Sequence, residues 1–210
     1  TRCGYELPRL SNVLQESQDQ RSLLVVCSSL ELFAGVLMYS IVYADPPWSY
    51  GKPQHGGAGK SSTGGAHTHY QVMALESIKE IPVSDWCNDD ALLFMWTSSP
   101  HLQQAMGVIE AWGFKYATIA FVWDKQKVNP GSYTMSQIEI CLVAKRGKIP
   151  QPRGARNIRQ FVSEMRGRHS AKPAEVRSRI DQMFPDHKKL EMFARTIVDG
   201  WDAWGDEAHG

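Results

Sequence analysis

The tetrapeptide Asp45-Pro46-Pro47-Trp48 places a carboxylate, a stiff corner and an aromatic ring next to one another. Two consecutive prolines fix two φ angles and lack N–H groups, so their carbonyls can face outward as acceptors. Asp45 can accept one N–H of an exocyclic amino group, and the carbonyl of Pro46 can accept the other. Hydrogen bonds from both N–H groups draw the nitrogen lone pair out of conjugation and make the amine a nucleophile. The ring of Trp48 or Tyr50 can stack on the aromatic base that carries this amine. The alternative is a purely structural role, in which an acidic residue ends a strand before a proline turn. That arrangement is common for Asp-Pro alone and less common for the full Asp-Pro-Pro-Trp sequence.

A second chemical candidate is Gly59-Lys60-Ser61, which ends a Gly-rich run and resembles a phosphate-binding loop. That motif needs glycine at position 54, where this chain has Gln54, and it must follow a strand directly and open a helix. Residues 62–65 read Ser-Thr-Gly-Gly, which is not a helix start. The run 50–66 is therefore interpreted as a flap that closes over substrate.

His67 and His69 lie two residues apart in the next segment. Two ligands without an acidic partner do not make a zinc site, and we expect no metal. His69 and Tyr70 are instead assigned to substrate binding.

Charge is unevenly distributed along the chain. The formal net charge is +1, but the segment 145–195 holds fourteen Lys or Arg and five Asp or Glu, and the remainder is acidic. Such asymmetry is typical of a face turned toward a polyanion, although solvated surfaces would give the same pattern. Loops near the site are expected to contact phosphates through Lys145, Arg146 and Lys148.

Apolar runs alternate with helical segments. Strands are predicted at 39–44, 91–96, 116–123, 138–144 and 190–194, with a further short one at 157–162 and helices at 73–80, 100–112 and 173–183. This alternation predicts an α/β architecture with a largely parallel sheet. Ligands of such sheets bind beyond the carboxyl ends of the strands, where Asp45 lies.

Composition narrows the class of protein. No apolar run approaches the roughly 20 residues of a membrane helix, so no membrane partner is expected. Four cysteines lie far apart without a C-x-x-C pair, which favours a reduced, cytoplasmic chain without a signal peptide.

Several blocks together resemble the MT-A70 family of N(6)-adenine methyltransferases, most closely its compact bacterial and phage members. The blocks run in order from Tyr39 to Glu207: IVYADPPW, LLFMWTSSPHL, EAWGFKY, FVWDK, IEICLVAKRGKIP, HSAKPAEV, LEMFAR and GWDAWGDE. The resemblance implies a Rossmann-like methyltransferase fold, a mostly parallel sheet flanked by helices, with the catalytic box before the cofactor-binding strand. The methyltransferase domain is expected to span 38–210, with 1–37 as an N-terminal extension.

The resemblance also implies roles for particular residues. Asp45, Pro46, Pro47 and Trp48 would form the catalytic box, with Asp45 also near the methionine amine of S-adenosylmethionine. Lys172 would hold the cofactor carboxylate, and the ribose would be held by Arg195, Asp206 and Glu207. Family members often carry Asn where this chain has Asp206, and a basic residue near Met135 that this chain lacks.

The resulting hypothesis is an S-adenosylmethionine-dependent N(6)-adenine methyltransferase that acts on DNA in a bacterial or phage-infected cell. The target adenine would be single-stranded or flipped out of a duplex. Adenine in RNA is the alternative substrate. The alternative class of protein is a non-catalytic, nucleic-acid-binding scaffold subunit of the same fold. The sequence leaves open whether the protein forms a homodimer.

Overall fold

The computed structural model describes residues 38–49, 73–131, 133–167 and 171–205. The expectations for the extension 1–37, the Gly-rich flap and the histidine pair lie outside these residues. The same holds for five of the expected site residues: Tyr50, His69, Tyr70, Asp206 and Glu207.

Within the described residues, seven strands form one sheet in the order β5-β3-β4-β2-β1-β6-β7. β4 is antiparallel to both of its neighbours, and the other four pairs are parallel. The mixed, mostly parallel sheet confirms the predicted α/β class. The strands are β1 (Tyr39–Ala44), β2 (Cys87–Thr97), β3 (Lys115–Asn129), β4 (Ser136–Arg146), β5 (Phe161–Ser163), β6 (Lys189–Met192) and β7 (Asp202–Trp204).

Helices cover both faces of the sheet. They are α1 (Leu75–Lys79), α2 (Leu102–Ala111) and α3 (Ala174–Met183). α1 and α2 pack with Val42 and Ala44 of β1 on one face, whereas α3 packs with Ile41 and Tyr43 on the other. All six residues of β1 are buried because successive side chains enter opposite cores. This explains why the strand is a continuous apolar run.

The boundaries around α2 follow from local chemistry. Gly113 adopts φ +77° directly after the helix, a left-handed conformation that favours glycine and ends helices. The indole N–H of the preceding Trp112 donates to the carbonyl of Ile78 at 2.8 Å. This bond joins the end of α2 to α1.

Three strand predictions need correction. β3 extends to Asn129, well beyond the predicted end at 123, because its polar second half pairs with the start of β4. β5 is only three residues long and begins at Phe161. A seventh strand, β7, follows the predicted last strand β6 and pairs with it in parallel. The sequence did not predict β7, because three residues are too few to show a period of two. Among the described residues, none of the helices is long and apolar enough to cross a membrane.

Candidate active site

Asp45 lies at the carboxyl edge of the sheet, the edge where β1, β2 and β6 end. Ala44, the last residue of β1, pairs with Met95 of β2 and with Met192 of β6. Asp45 therefore leaves the sheet between two parallel neighbours, and Arg195 follows β6 at the same edge. β1, which precedes the predicted catalytic box, and β6, which precedes the predicted cofactor contact Arg195, are therefore adjacent in the sheet.

A row of four alternating charges crosses this edge. Lys172 Nζ lies 2.8 Å from Asp45 Oδ2 and 3.3 Å from Glu139 Oε2, and Lys125 Nζ lies 3.3 Å from Glu139 Oε1. All four side chains are at most 25% exposed. Glu139 and Lys125 were missed in the sequence analysis, although a charged residue inside an apolar strand is a signal that could have found them.

These contacts fix the charge states of the row. Burial acts to lower the pKa of Lys172, but the carboxylates of Asp45 and Glu139 outweigh it and raise that pKa above its ordinary value. Burial likewise acts to raise the pKa of Glu139, and Lys172 and Lys125 together hold it below its ordinary value. Lys172 is thus a cation and Glu139 an anion at neutral pH.

The proline corner already makes backbone contacts. The carbonyl of Pro46 accepts from the backbone N–H of Trp48 at 2.8 Å, and that of Pro47 accepts from Met73 at 3.3 Å. A carbonyl oxygen has two lone pairs, so Pro46 retains capacity for one further donor. The corner is held rigidly and can still accept from an amino group.

Trp48 is buried between strand and helix. Its ring stacks on His101, with centroids 5.8 Å apart and an interplanar angle of 14°, and its indole N–H donates to the carbonyl of Trp96 at 3.2 Å. Only 8% of the residue is exposed. These contacts fasten the box to the end of β2. Base stacking by Trp48 or Tyr50 stays a prediction.

His101 was not singled out in the sequence. Its Nδ1 lies 2.8 Å from the hydroxyl of Ser98, and the ring forms a hydrogen bond with the backbone of Ser49. Burial lowers the pKa of His101, although the bond with Ser49 acts in the opposite direction. The neutral imidazole of His101 therefore holds the backbone of Ser49, the residue that directly follows the Asp45–Trp48 box.

The end of β6 supplies a second carboxylate. Arg177 of α3 pairs with Glu191 Oε1 at 2.8 Å, while the buried Oε2 of Glu191 has no hydrogen-bond partner among the described residues. Burial raises the pKa of Glu191, opposed by Arg177 and reinforced by the charge of Asp45.

Arg195 is half-buried three residues beyond β6. Gly205 lies against the backbone just before it, where an added Cβ would come within 2.8 Å of the Ala194 nitrogen. This close approach places Gly205 beside Ala194, the residue that precedes Arg195.

The described polar groups fit S-adenosylmethionine. Its methionine part carries an ammonium and a carboxylate, and the edge offers Asp45 for the first and Lys172 for the second. The orphaned oxygen of Glu191 is a further buried acceptor for a donor that the chain itself does not supply.

Three predicted phosphate contacts lie elsewhere. β4 runs antiparallel to β2, so Arg146 pairs with Ala91, five residues before the Trp96 level at which Asp45 leaves the sheet. At about 3.4 Å per residue this separation is about 17 Å. The expected position of Lys145, Arg146 and Lys148 near the site is therefore wrong, and their contact with nucleic acid stays a prediction.

Two further features lie outside the row of charges. In the parts of the chain that the structure describes, no group of three His, Cys, Asp or Glu could hold a metal. A cavity of about 390 Å³ borders Lys188, Lys189 and Trp201. It lies at the start of β6, at the opposite end of the sheet from Asp45, and its lysines already pair with Asp181 and Asp202.

Comparison with known proteins adds independent findings. The MT-A70 family model matches residues 39–207. The type II methyltransferase M.MunI from Mycoplasma is 46% identical over 178 residues, which cover 80% of this chain and 76% of that protein. An N(6)-adenosine-methyltransferase MT-A70-like protein from Arabidopsis thaliana is 27% identical, over 82% of this chain and 24% of that protein. An N6-methyladenosine RNA methyltransferase from Cryphonectria parasitica is 28% identical, over 81% and 52% respectively.

Proposed function

Because the chain belongs to the MT-A70 family of adenine N(6)-methyltransferases, we propose that it transfers a methyl group from S-adenosylmethionine to the N6 amino group of adenine in DNA. The observation that carries the proposal is the placement of Asp45 and its proline corner at the carboxyl edge, beside Lys172.

DNA is proposed over RNA on the strength of the similarity. The Mycoplasma type II methyltransferase is 46% identical to this chain. The Arabidopsis and Cryphonectria relatives, named as adenosine and RNA methyltransferases, are 27% and 28% identical, and the chain spans about a quarter and a half of their respective lengths. Methylation of RNA is accordingly one of the outcomes that the experiment below distinguishes.

Asp45 has acceptor capacity for more than one partner. A carboxylate offers about four lone-pair sites, and Lys172 uses one of them on Oδ2. The remaining sites of Asp45 and the second lone pair of Pro46 can accept the two N–H groups of an adenine amine. These bonds aim the nitrogen lone pair, so catalysis comes from orientation and charge placement more than from a strong base.

Lys172 connects the amine site with the cofactor site. Its ammonium has three N–H groups, and Asp45 and Glu139 accept two of them, which leaves one to hold a ligand carboxylate. S-adenosylmethionine, when bound there, supplies the methyl group as a carbon activated by a sulfonium. Arg195, with Asp206 and Glu207, is proposed to hold the ribose.

The first experiment measures transfer of a labelled methyl group to matched single-stranded DNA, duplex DNA and RNA. Parent protein, Asp45→Ala and the control Asp85→Asn, an exposed carboxylate away from the edge, run side by side. We expect label on DNA adenine and a loss of at least about 100-fold in Asp45→Ala, the scale seen when an orienting group is removed.

Other outcomes have distinct meanings. Label on RNA alone would keep the chemistry and overturn the DNA substrate. No label on any substrate, together with no heat on titration with S-adenosylmethionine, would refute the enzyme and favour a nucleic-acid-binding scaffold.

A further inference from the structure

A basic strip descends from the carboxyl edge along the flank of the sheet. Residues 145–166 contain seven Lys or Arg and a single acidic residue, Glu164. One of the seven, Arg146, turns inward to the carbonyl of Ser84 at 2.6 Å and lies 3.8 Å from Asp89. The other six define the strip, and all but the half-buried Arg153 are exposed: Lys145, Lys148, Arg153, Arg156, Arg159 and Arg166.

Sheet register fixes the two ends of the strip. Lys145 pairs with Lys115 at the start of β3, at the end of the sheet opposite Asp45. The backbone N–H of Arg166 donates to the carbonyl of Lys125, which belongs to the row of charges at the carboxyl edge. Two bulges in β3 mean that Lys115–Asp124 faces only Ile138–Lys145 of β4, so the strip spans about 24 Å along the sheet. The strip therefore connects the far end of the molecule to the candidate site.

The backbone of the strip is held in place along this path. Ala155 N–H donates to the carbonyl of Gln182 at 2.7 Å, at the end of α3. Nearer the carboxyl edge, the guanidinium of Arg179 donates to the carbonyls of Arg159 and Phe161, both at 2.8 Å. The charged side chains thus project from a fixed scaffold, which reduces the entropy lost when a ligand binds.

The charges of the strip lack carboxylate partners in the described part of the chain, although the guanidinium of Arg153 lies over the Phe184 ring at 5.7 Å. Among the residues that the structure describes, none of the six forms a salt bridge. Lys115 and Lys145 are both exposed and lie directly opposite each other, and like charges in this arrangement destabilise a sheet. The buried Nε of Arg153 has no hydrogen-bond partner among the described residues either. A polyanion bound along the strip would relieve the repulsion between the exposed lysines.

We propose that the sugar–phosphate backbone flanking the target adenine follows the strip away from Asp45. The inference rests on the proposed function, because it takes the ligand to be the substrate strand itself. Phosphates of one strand are spaced about 3.4 Å apart along a helix axis, so a strip of about 24 Å accommodates about seven nucleotides. The strip contacts phosphates and carries no sequence preference.

The test compares substrates of different length. An oligonucleotide with three nucleotides on each side of its target adenine is extended by ten nucleotides on the 5′ side or on the 3′ side. We expect extension on one side alone to lower Kd at least tenfold. Arg156→Gln/Arg159→Gln abolishes most of that gain, and it leaves binding and methylation of the short oligonucleotide unchanged. Lys79→Gln, on α1 at the other face, is the matched control.

Salt dependence provides a second readout. Loss of two phosphate contacts reduces the slope of log K against log salt by about 1.4 for a single strand and about 1.8 for a duplex. Equal affinity for short and extended oligonucleotides would overturn the proposed role of the strip in phosphate binding. A gain in affinity that survives the double substitution would overturn it as well.

The two proposals fail in different ways. Absence of methyl transfer from every oligonucleotide refutes the proposed function, while the affinities still report on the strip. A one-sided gain with RNA alone supports the strip and overturns DNA as its ligand.

Discussion

Replacing Glu139 by glutamine should destabilise the protein through Lys125. The substitution keeps the shape of the side chain and removes the charge that pairs with two cations. Lys172 retains Asp45 at 2.8 Å, but Lys125, whose side chain is 8% exposed, loses the carboxylate that compensates it. Removing one partner of a buried ion pair costs about 3–5 kcal/mol, and the lower figure applies because one of the two cations stays paired.

Urea and thermal unfolding would measure this cost. A loss of about 3 kcal/mol corresponds to a fall in Tm of about 6–12 °C for a domain of this size. The double variant Lys125→Met/Glu139→Gln removes both charges and should return to within about 1 kcal/mol of the parent protein. Glu76→Gln breaks an exposed pair with Lys79 and should cost less than about 0.5 kcal/mol.

The pH dependence gives an independent check. Because Lys172 and Lys125 hold the pKa of Glu139 below its ordinary value of 4.5, the folded state favours the carboxylate. That contribution is complete above pH 4.5 and is lost as the pH falls through the lowered folded value. The difference between the parent protein and Glu139→Gln should therefore shrink in acid. A single variant as stable as the parent at pH 7, or a double variant less stable than the single one, would refute the reasoning.

Two further predictions concern other buried groups. His101→Ala removes the ring that stacks on Trp48 and the hydrogen bonds of that ring with Ser98 and Ser49, so the free energy of unfolding should fall by about 2 kcal/mol in urea titrations; a change under about 0.5 kcal/mol would show that these contacts do not hold the box. Burial raises the pKa of Cys87 to about 12, so a thiol-specific reagent at pH 8 should label it only after unfolding, as peptide mapping would show; labelling of Cys87 in the native protein as fast as in the unfolded protein would contradict this.

Local chemistry made much of the architecture predictable. β1 and the centre of β2 are uninterrupted apolar runs, and Gly113 ends α2 where the sequence indicated. The polar second half of β3 was missed because its extended conformation depends on pairing with β4. β7 was missed because a three-residue strand is stabilised by its neighbour β6 and not by its own composition.

The sequence by itself determined the chemical identity of the box. Asp45, two prolines and Trp48 after a buried strand predict an amine-binding corner, since the restriction on proline is local to the chain. The largely parallel sheet also followed from the alternation of predicted strands with predicted helices along the chain. These conclusions need no knowledge of which distant residues meet.

Only the tertiary structure decided what surrounds Asp45. Lys172 is 127 residues away in sequence, and its pairing with Asp45 and Glu139 depends on three elements that converge at one edge. The direction of β4 likewise moved Lys145 to the far end of the sheet. The physical reason is that the direction and register of a strand are set by its hydrogen-bonded neighbours, which the composition of the strand does not reveal.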